Sequence, residues 1–313
     1  MNPKHHKDLF RTLIHQIKND EAYKQIEDYV IGKFRENDYG RLPYLELDDS
    51  RFPGLRILSD LKSKSIKSNV LYKYVSQDAI SHILGSNGGI RFCEPIEWND
   101  KYESIFYRSE KLLSEDLSRK KVYASCFTTK KENEAAWKAY LSPSGKELNE
   151  MLSFRLEIDR VKMIKELLKQ YQGCELYEAP VAYLHKKQVR TSLDPMSPQI
   201  KGFSFKGGIS EEKDYISLLS VKRDYFSYED EARYFIVAEG GEGTVHDAYK
   251  YLLNPISFIK NITVVRPYGQ LCLEPCDKLN FELTRGELDS LAAELGVTSS
   301  LLESYNPYNL KDL

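Results

Sequence analysis

Residues 228–235 read Tyr-Glu-Asp-Glu-Ala-Arg-Tyr-Phe, an acidic turn that runs directly into a β-prone segment. The apolar run that follows predicts a strand over 232–238. In an extended chain, Glu229, Glu231 and Arg233 point to the same side. Two carboxylates on one side can take different catalytic roles, since one can activate a nucleophile while the other stabilises positive charge. The alternative is a solvated acidic turn with a weak ion pair between residues two apart.

Short strands and a few helices are predicted around this segment. The periodicity and the turn residues predict further strands over 70–75, 90–93, 121–128, 151–158, 181–184 and 256–265. They predict helices over 77–84, 132–141, 161–171 and 215–225. Because helices and strands do not alternate regularly, an α+β fold around a mixed or antiparallel sheet is favoured over a doubly wound parallel sheet.

Three regions are expected along the chain. Residues 1–69 are interpreted as an N-terminal helical extension and linker, with helical spacing to about residue 61, a loop over 38–53 and a polar linker over 62–69. Residues 70–270 form the main α+β domain. Residues 271–313 are expected to form a tail with a short amphipathic helical hairpin. These two outer segments could bind a partner, such as an antitoxin, or simply cover the sheet.

The composition argues against several classes of protein. Hydrophobic residues make up 41% and charged residues 29% of the chain, as in globular proteins. The 45 Lys and Arg residues are balanced by 47 Asp and Glu residues, which argues against dominant non-specific DNA binding through phosphate neutralisation. Tyrosine is frequent, with 22 residues against 2 Trp and 13 Phe, and this excess suits wet clefts and interfaces as well as core packing.

Cysteine and histidine residues form no metal-binding motif. Cys272 and Cys276 have neither a second cysteine pair nor a nearby His, so no metal site is expected. Cys126 has no neighbouring basic residue in sequence that would activate a thiolate. No segment has the roughly 20 apolar residues of a membrane span, and no signal-peptide pattern is present. We therefore expect a reduced, cytoplasmic protein without a membrane partner.

Three further clusters carry polar or aromatic side chains that could build a ligand site. In the strand 71–74, Tyr72 and Tyr74 share one face, where they could sandwich a flat ring or form a half-buried edge. The turn with Asn99 and Asp100 either contacts a ligand or caps a helix. Hydroxyl groups at a strand end can position a ligand amide or hydroxyl, and such groups are present at Ser125 and Thr128.

Taken in order, these clusters resemble a widespread prokaryotic family known as domain of unknown function 2971. The correspondence covers about residues 70–266. Its five motifs are Tyr72-Lys73-Tyr74, then Asn99-Asp100-Lys101-Tyr102-Glu103, then Cys126-Phe127-Thr128, then Ala136-Trp137-Lys138-Ala139-Tyr140 with Gly145, and finally Lys222, Phe226, Tyr228, Glu229, Glu231 and Arg233. The chain departs from the family pattern, which has Pro, Ser, Met and an aromatic residue, at Lys101, Thr128, Ala136 and Ala232.

The family label carries no activity, but this order of motifs resembles the ADP-ribosyltransferase fold. The resemblance implies that Glu231 is the catalytic carboxylate and that Glu229 orients the acceptor. It also implies a set of residues that contact NAD, which are Tyr72, Lys73, Tyr74, Asn99, Asp100, Ser125, Thr128, Trp137, Tyr140 and Arg233. Of these, the resemblance places Ser125 and Thr128 on the nicotinamide side.

The resemblance therefore implies an NAD-dependent ADP-ribosyltransferase, a toxin or phage-defence effector that modifies a protein or a nucleic acid. NAD would be its substrate, and no metal would be needed. Nicotinamide leaves NAD through an oxocarbenium-like state, which a nearby carboxylate stabilises. Two other interpretations stay open: a non-catalytic module that senses a nucleotide or a partner, and a hydrolase that uses Glu229 and Glu231 on a nucleotide or glycosidic bond.

Overall fold

The computed structural model describes residues 44–47, 49–60, 66–98, 113–132, 136–137, 152–184, 211–239, 249–265 and 283–305. Within these residues, the strands are β1 (Tyr44–Leu47), β2 (Leu55–Asp60), β3 (Val70–Ser76), β4 (Ile90–Cys93), β5 (Lys120–Thr128), β6 (Ser153–Asp159), β7 (Glu175–Pro180), β8 (Ala182–Leu184), β9 (Val221–Arg223), β10 (Glu231–Glu239), β11 (Tyr249–Leu252), β12 (Ile259–Val265) and β13 (Leu302–Ser304). The α-helices are α1 (Gln77–Leu84), α2 (Glu115–Ser118), α3 (Arg160–Gln170), α4 (Glu212–Leu218) and α5 (Arg285–Leu295).

Eleven of the described strands form one mixed sheet. Along its main path the strand order is β1-β2-β7-β10-β5-β3-β6-β12-β13, and β4 joins β5 and β11 beside this path. The pairs β2/β7 and β12/β13 are parallel, whereas β10 runs antiparallel to both of its neighbours. Strands β8 and β9 form a separate parallel pair. The α+β fold around a mixed sheet, which the sequence predicts, is therefore confirmed.

Strand β10 lies inside this sheet, between β7 and β5. It pairs with β5 from Glu231 opposite Thr128 to Glu239 opposite Lys120. Its first seven residues are all buried. A strand that is covered on both faces has a nearly continuous apolar sequence, and this explains why the segment 232–238 is recognisable without knowledge of its neighbours.

The two faces of the sheet differ in chemistry. One face forms the main core, in which side chains such as Phe127, Leu156 and Tyr234 pack against apolar residues of α1, α3 and α5. Residues that are directly opposite in a sheet share a face. The register therefore aligns Glu231, Thr128 and Tyr72 in one row on the other face, across β10, β5 and β3. We call this second face the polar face.

Within the segment 1–69, the helical prediction is wrong at 55–60, and the loop predicted over 38–53 contains a short strand. Residues 44–47 and 55–60 form β1 and β2, which extend the main sheet by pairing with each other and, through β2, with β7. Leu55 and Ile57, two residues apart, are buried in the core. At 55–60, pairing with the distant strand β7 overrides the local helical spacing. Residues 1–43 lie outside the described residues.

The tail matches its prediction in part. Helix α5 is present, and Thr284 begins it with a capping box that involves Glu287. The expected second helix of the hairpin is replaced by a short 3-10 turn and by β13, which pairs in parallel with β12. Leu302 is buried against the sheet, so its apolar character reflects strand packing. None of the described helices is long and apolar enough to cross a membrane.

A buried ion pair joins α3 to the sheet on the core face. The guanidinium of Arg160 donates to both carboxylate oxygens of Glu178, at 2.6 and 2.8 Å. The Tyr234 hydroxyl donates to the same carboxylate at 2.5 Å. Both charged side chains are buried. Removing one member of such a pair leaves an uncompensated buried charge.

Replacing Glu178 with Gln is therefore expected to lower the free energy of unfolding by about 3–5 kcal/mol. Urea denaturation followed by circular dichroism measures this loss. Glu115→Gln is the matched control, because Glu115 pairs with Arg119 on the surface. Its expected cost is about 1 kcal/mol or less. Equal losses in the two variants would contradict a stabilising role for the buried pair.

Candidate functional site

The chain approaches β10 through three short elements. A helix was predicted over 215–225, but α4 ends at Leu218 and is followed by β9 and by a 3-10 helix, Asp224–Glu229. The helical spacing fails here because β9 pairs with β8, placing Lys222 opposite Tyr183. This arrangement brings the Lys222 side chain to the start of β10.

Glu229 and Glu231 do not lie on one extended segment, so that prediction is wrong. Asp230 between them has φ of 43°, in the left-handed region that Asp tolerates better than most residues. The Thr129 backbone N–H donates to the Asp230 carbonyl at 3.2 Å, and the Thr129 hydroxyl donates to the Asp230 carboxylate. These bonds hold a sharp turn at which the 3-10 helix becomes a strand.

The two carboxylates nevertheless meet at one ammonium group. Lys222 Nζ donates to Glu229 Oε2 at 2.6 Å and to Glu231 Oε2 at 3.1 Å. The Glu231 side chain is 6% exposed, whereas the Glu229 side chain is 27% exposed. Of the two, Glu229 is therefore the carboxylate that solvent or a ligand reaches more easily.

Arg233 fixes Glu231 from the other side. Its Nε donates to Glu231 Oε1 at 2.7 Å, and its Nη2 donates to Oε2 at 3.2 Å. Its Nη1 donates to the Leu219 carbonyl at 2.5 Å. The guanidinium carbon lies 4.3 Å from the centroid of the Trp98 ring, a cation–π contact. Glu231 is thus held in one position by two cations and an ordered backbone.

These cations set the protonation of Glu231. Burial raises the pKa of this carboxyl, but the Arg233 guanidinium and the Lys222 ammonium outweigh burial and hold the pKa well below its usual range. The Cys126 thiol is hydrogen-bonded to Glu231, and burial raises the pKa of Cys126 well above its usual value. The site therefore holds an ionised carboxylate and a protonated thiol, which is a poor nucleophile.

Thr128 and Tyr72 share the polar face with Glu231. The Thr128 hydroxyl donates to the Glu229 carbonyl, which helps to fix the turn before β10. Glu231, Thr128 and Tyr72 lie in one row of three adjacent strands. At about 4.8 Å per strand, the Cα atoms of Tyr72 and Glu231 are roughly 10 Å apart. One extended ligand on the polar face could contact both.

Lys73 and Ser125 lie on the opposite, core-facing side of their strands. Ser125 is paired with Tyr234, and alternation along β5 separates its side chain from that of Thr128. Lys73 Nζ donates to the Ser125 hydroxyl at 3.2 Å and to the Cys126 carbonyl at 2.8 Å. Burial lowers the pKa of Lys73. The structure therefore separates Ser125 from Glu231, whereas Lys73 is near enough for the Glu231 carboxylate to favour its charged form.

Tyr74 and Trp137 belong to a second cluster on the polar face. Their ring centroids are 4.8 Å apart, in an edge-to-face contact. Arg155 of β6 lies beside them, opposite Tyr74 in the register. Asn99, Asp100 and Tyr140, which were also predicted to contact NAD, lie outside the described residues.

Four residues of these clusters were not predicted to be site residues: Trp98, Arg155, Tyr183 and Lys222. Trp98 and Lys222 lie within or beside the quoted motifs, so the motifs gave a usable signal for them. Arg155 occupies a polar position in the regular apolar/polar alternation of β6, so its position in the sequence does not single it out. The Tyr183 hydroxyl accepts from the Glu231 backbone N–H at 2.8 Å. No motif or spacing in the sequence indicates that Tyr183 is a site residue.

In the part of the chain that the structure describes, no group of three or more His, Cys, Asp or Glu residues is arranged to hold a metal ion. Comparisons with known families, curated proteins and solved structures give no match to this chain. The resemblance to domain of unknown function 2971 therefore depends on the quoted motifs alone.

Replacing Glu231 with Gln is expected to lower the free energy of unfolding by about 3–5 kcal/mol at pH 7, because Arg233 loses its buried anion. Glu229→Gln is the matched control, with a loss of about 1 kcal/mol, because Glu229 is more exposed. Urea denaturation at several pH values measures both losses.

The effect of Glu231→Gln should also depend on pH. The folded pKa of Glu231 is lowered, so its stabilising effect is complete above the unfolded value of about 4.3 and is lost as the pH falls further. The difference in the free energy of unfolding between the wild-type protein and Glu231→Gln should therefore become smaller below about pH 4. A difference that grows on acidification would contradict an ionised Glu231.

Proposed function

We propose that this protein is an NAD-dependent ADP-ribosyltransferase that reacts at the pair Glu229 and Glu231. The observation that carries the proposal is that Lys222 joins both carboxylates at the start of an interior strand, 2.6 and 3.1 Å from its ammonium. Fixed negative charge of this kind stabilises an oxocarbenium-like transition state. The motif order that resembles ADP-ribosyltransferases supports the same interpretation.

In the proposed reaction, the bond between ribose C1′ and the nicotinamide nitrogen breaks, and its electron pair returns to the pyridine ring. A nucleophilic atom of the acceptor forms a new bond to C1′, and its proton is released to solvent. Positive charge develops on the ribose between these events. The carboxylates need only to be ionised and correctly placed, because they stabilise this charge without accepting a proton.

The geometry favours an exchange of the roles that the resemblance implied. Both oxygens of Glu231 already accept hydrogen bonds from Arg233 or Lys222, which leaves little capacity for a substrate. Glu229 is more exposed and is better placed to contact a ribose hydroxyl. In this proposal Glu229 is the catalytic carboxylate, and Glu231 is a positioning residue that orients Lys222 and therefore Glu229.

The acceptor is a protein or a nucleic acid, as expected of a toxin or a defence effector. The near-neutral charge of the chain, -2 in total, favours an acceptor that is recognised at a local surface. This part of the proposal follows from the resemblance and is tested together with the chemistry.

Glu229→Gln is expected to reduce nicotinamide release from NAD by roughly 100-fold or more while the fold is retained, since removal of one preorganised electrostatic group costs about that much. Incubation with NAD that carries a label on the adenosine, with and without cell extract, measures both nicotinamide release and label transfer. Glu115→Gln is the control, because this exposed residue lies on α2, which precedes β5 at the end where Lys120 is opposite Glu239, far from Glu231 along β10.

Absence of both release and transfer in the wild-type protein would refute the proposed reaction, as would full activity in Glu229→Gln. Release without transfer in any extract would favour a hydrolase in which water is the acceptor. Circular dichroism of each variant separates loss of chemistry from loss of fold.

The saturated hydrogen bonding of Glu231 supports one alternative, a non-catalytic module that binds a nucleotide. In that case Lys222 and Arg233 would serve to maintain the fold around the ligand. Calorimetric titration with NAD distinguishes the two functions. Saturable binding with no nicotinamide release over hours indicates a sensor, whereas turnover indicates the transferase.

A further inference from the structure

Two buried donors lie in the second cluster of the polar face. Among the residues that the structure describes, Trp137 Nε1 and Arg155 Nε are buried side-chain nitrogens without a hydrogen-bond partner. Both side chains are 1% exposed, and the Arg155 guanidinium carbon lies 5.8 Å from the Trp137 ring. A buried N–H group without an acceptor is costly, so native proteins rarely keep one without a reason. A ligand that brings acceptor atoms would satisfy both groups.

Aromatic rings surround these donors. The Arg155 guanidinium carbon lies 5.6 Å from the Tyr72 ring and 5.5 Å from the Tyr305 ring. The Tyr305 and Trp137 rings are nearly parallel, with an angle of 28° between their planes. Tyr72 and Tyr305 are half-buried, so the aromatic walls extend from the buried donors to the surface. Walls of this kind favour a flat ring that can stack.

The charges of the cluster favour a neutral ligand with a donor of its own. Arg155 Nη1 donates to Glu132 Oε1 at 2.8 Å, and Arg155 Nη2 lies 3.7 Å from Glu303 Oε1. These counter-ions offset the guanidinium charge, so an anion gains little here. The Glu132 and Glu303 side chains are 50% and 47% exposed, so solvent reaches the cluster on this side. Each carboxylate can accept a further hydrogen bond.

We propose that this cluster binds the adenine ring of a nucleotide. One edge of adenine has a ring-nitrogen acceptor beside an exocyclic amino donor. The ring nitrogens would accept from Trp137 Nε1 and Arg155 Nε, and the amino group would donate to Glu132. Hypoxanthine has a carbonyl oxygen in place of the amino group, and that oxygen would face the Glu132 carboxylate without a hydrogen between them.

The position of the cluster favours adenine over nicotinamide. Arg155 is on β6, three strands from β10 along the sheet order, on the same face as Glu231. Three strand spacings amount to roughly 14 Å. In an extended dinucleotide bound with its reacting ribose at Glu229, the ring at the far end is adenine. Only this identification of the nucleotide as NAD rests on the proposed function.

The test is a titration of the full chain with adenosine, inosine and nicotinamide, followed by thermal unfolding and by tryptophan fluorescence. Adenosine should raise the unfolding temperature and change the fluorescence in a saturable way. Inosine should bind at least tenfold more weakly, about 1.4 kcal/mol. Nicotinamide, which the proposed function places near Glu229, should not compete with adenosine for this cluster.

Two variants assign the effect to the cluster. Trp137→Phe keeps an aromatic ring and removes one unpartnered donor, so the folded variant should bind adenosine at least tenfold more weakly. Arg155→Lys keeps the positive charge, removes the second donor and should also weaken adenosine binding. The control Trp98→Phe changes the only other tryptophan, at the Glu231 end, and should leave adenosine affinity unchanged.

Several results would overturn the proposal: no saturable adenosine binding at millimolar concentration, unchanged adenosine affinity in Trp137→Phe, or equal affinity for inosine. If Trp137→Phe does not fold, Arg155→Lys decides in its place. Adenosine binding without NAD cleavage would refute the proposed transferase activity but would still support the adenine site. NAD cleavage without adenosine binding would refute this site alone.

Discussion

Arg233 is fully buried in an interior strand, and a buried guanidinium must find anions and acceptors for its N–H groups. This requirement determines much of the structure around the candidate site. Glu231 supplies the anion from the same strand, and the Leu219 carbonyl and the Trp98 ring bring in two separate segments. Lys222 then balances the charge of the carboxylates. The short elements between α4 and β10 are arranged around this single charge.

Other buried arginines show the same principle at different places in the sheet. Arg160 links α3 to the core face of the sheet by donating to both carboxylate oxygens of Glu178, which is itself buried. Arg155 on the polar face pairs with half-exposed Glu132 and retains an unpartnered nitrogen. A fully satisfied pair restrains the fold, whereas an unsatisfied group near the surface leaves capacity for a ligand. The proposed adenine site depends on this difference between the hydrogen bonding of Arg160 and that of Arg155.

The local parts of the fold were predictable from sequence, and the non-local parts were not. The segments 70–75, 121–128 and 232–238 were identified as strands because apolar and β-branched residues mark buried strands. The sequence predicts helices at β2 and β13, because their pairing with β7 and β12 cannot be read from their own residues. Likewise, the Glu231–Arg233 pair follows from spacing, but the bridge to Lys222 depends on a turn at Asp230 that no periodicity indicates.

The same constraint limits the chemistry of the site. A carboxylate that internal cations keep ionised is ready to stabilise positive charge before any substrate arrives, which is the advantage of preorganisation. The hydrogen bonds that keep it ionised also occupy the oxygens that a substrate would need. Both oxygens of Glu231 already accept hydrogen bonds from Arg233 or Lys222, whereas the Glu229 side chain is more exposed. In the proposed reaction the substrate therefore contacts the more exposed carboxylate, Glu229, while Glu231 and its two cations hold the site in a fixed arrangement.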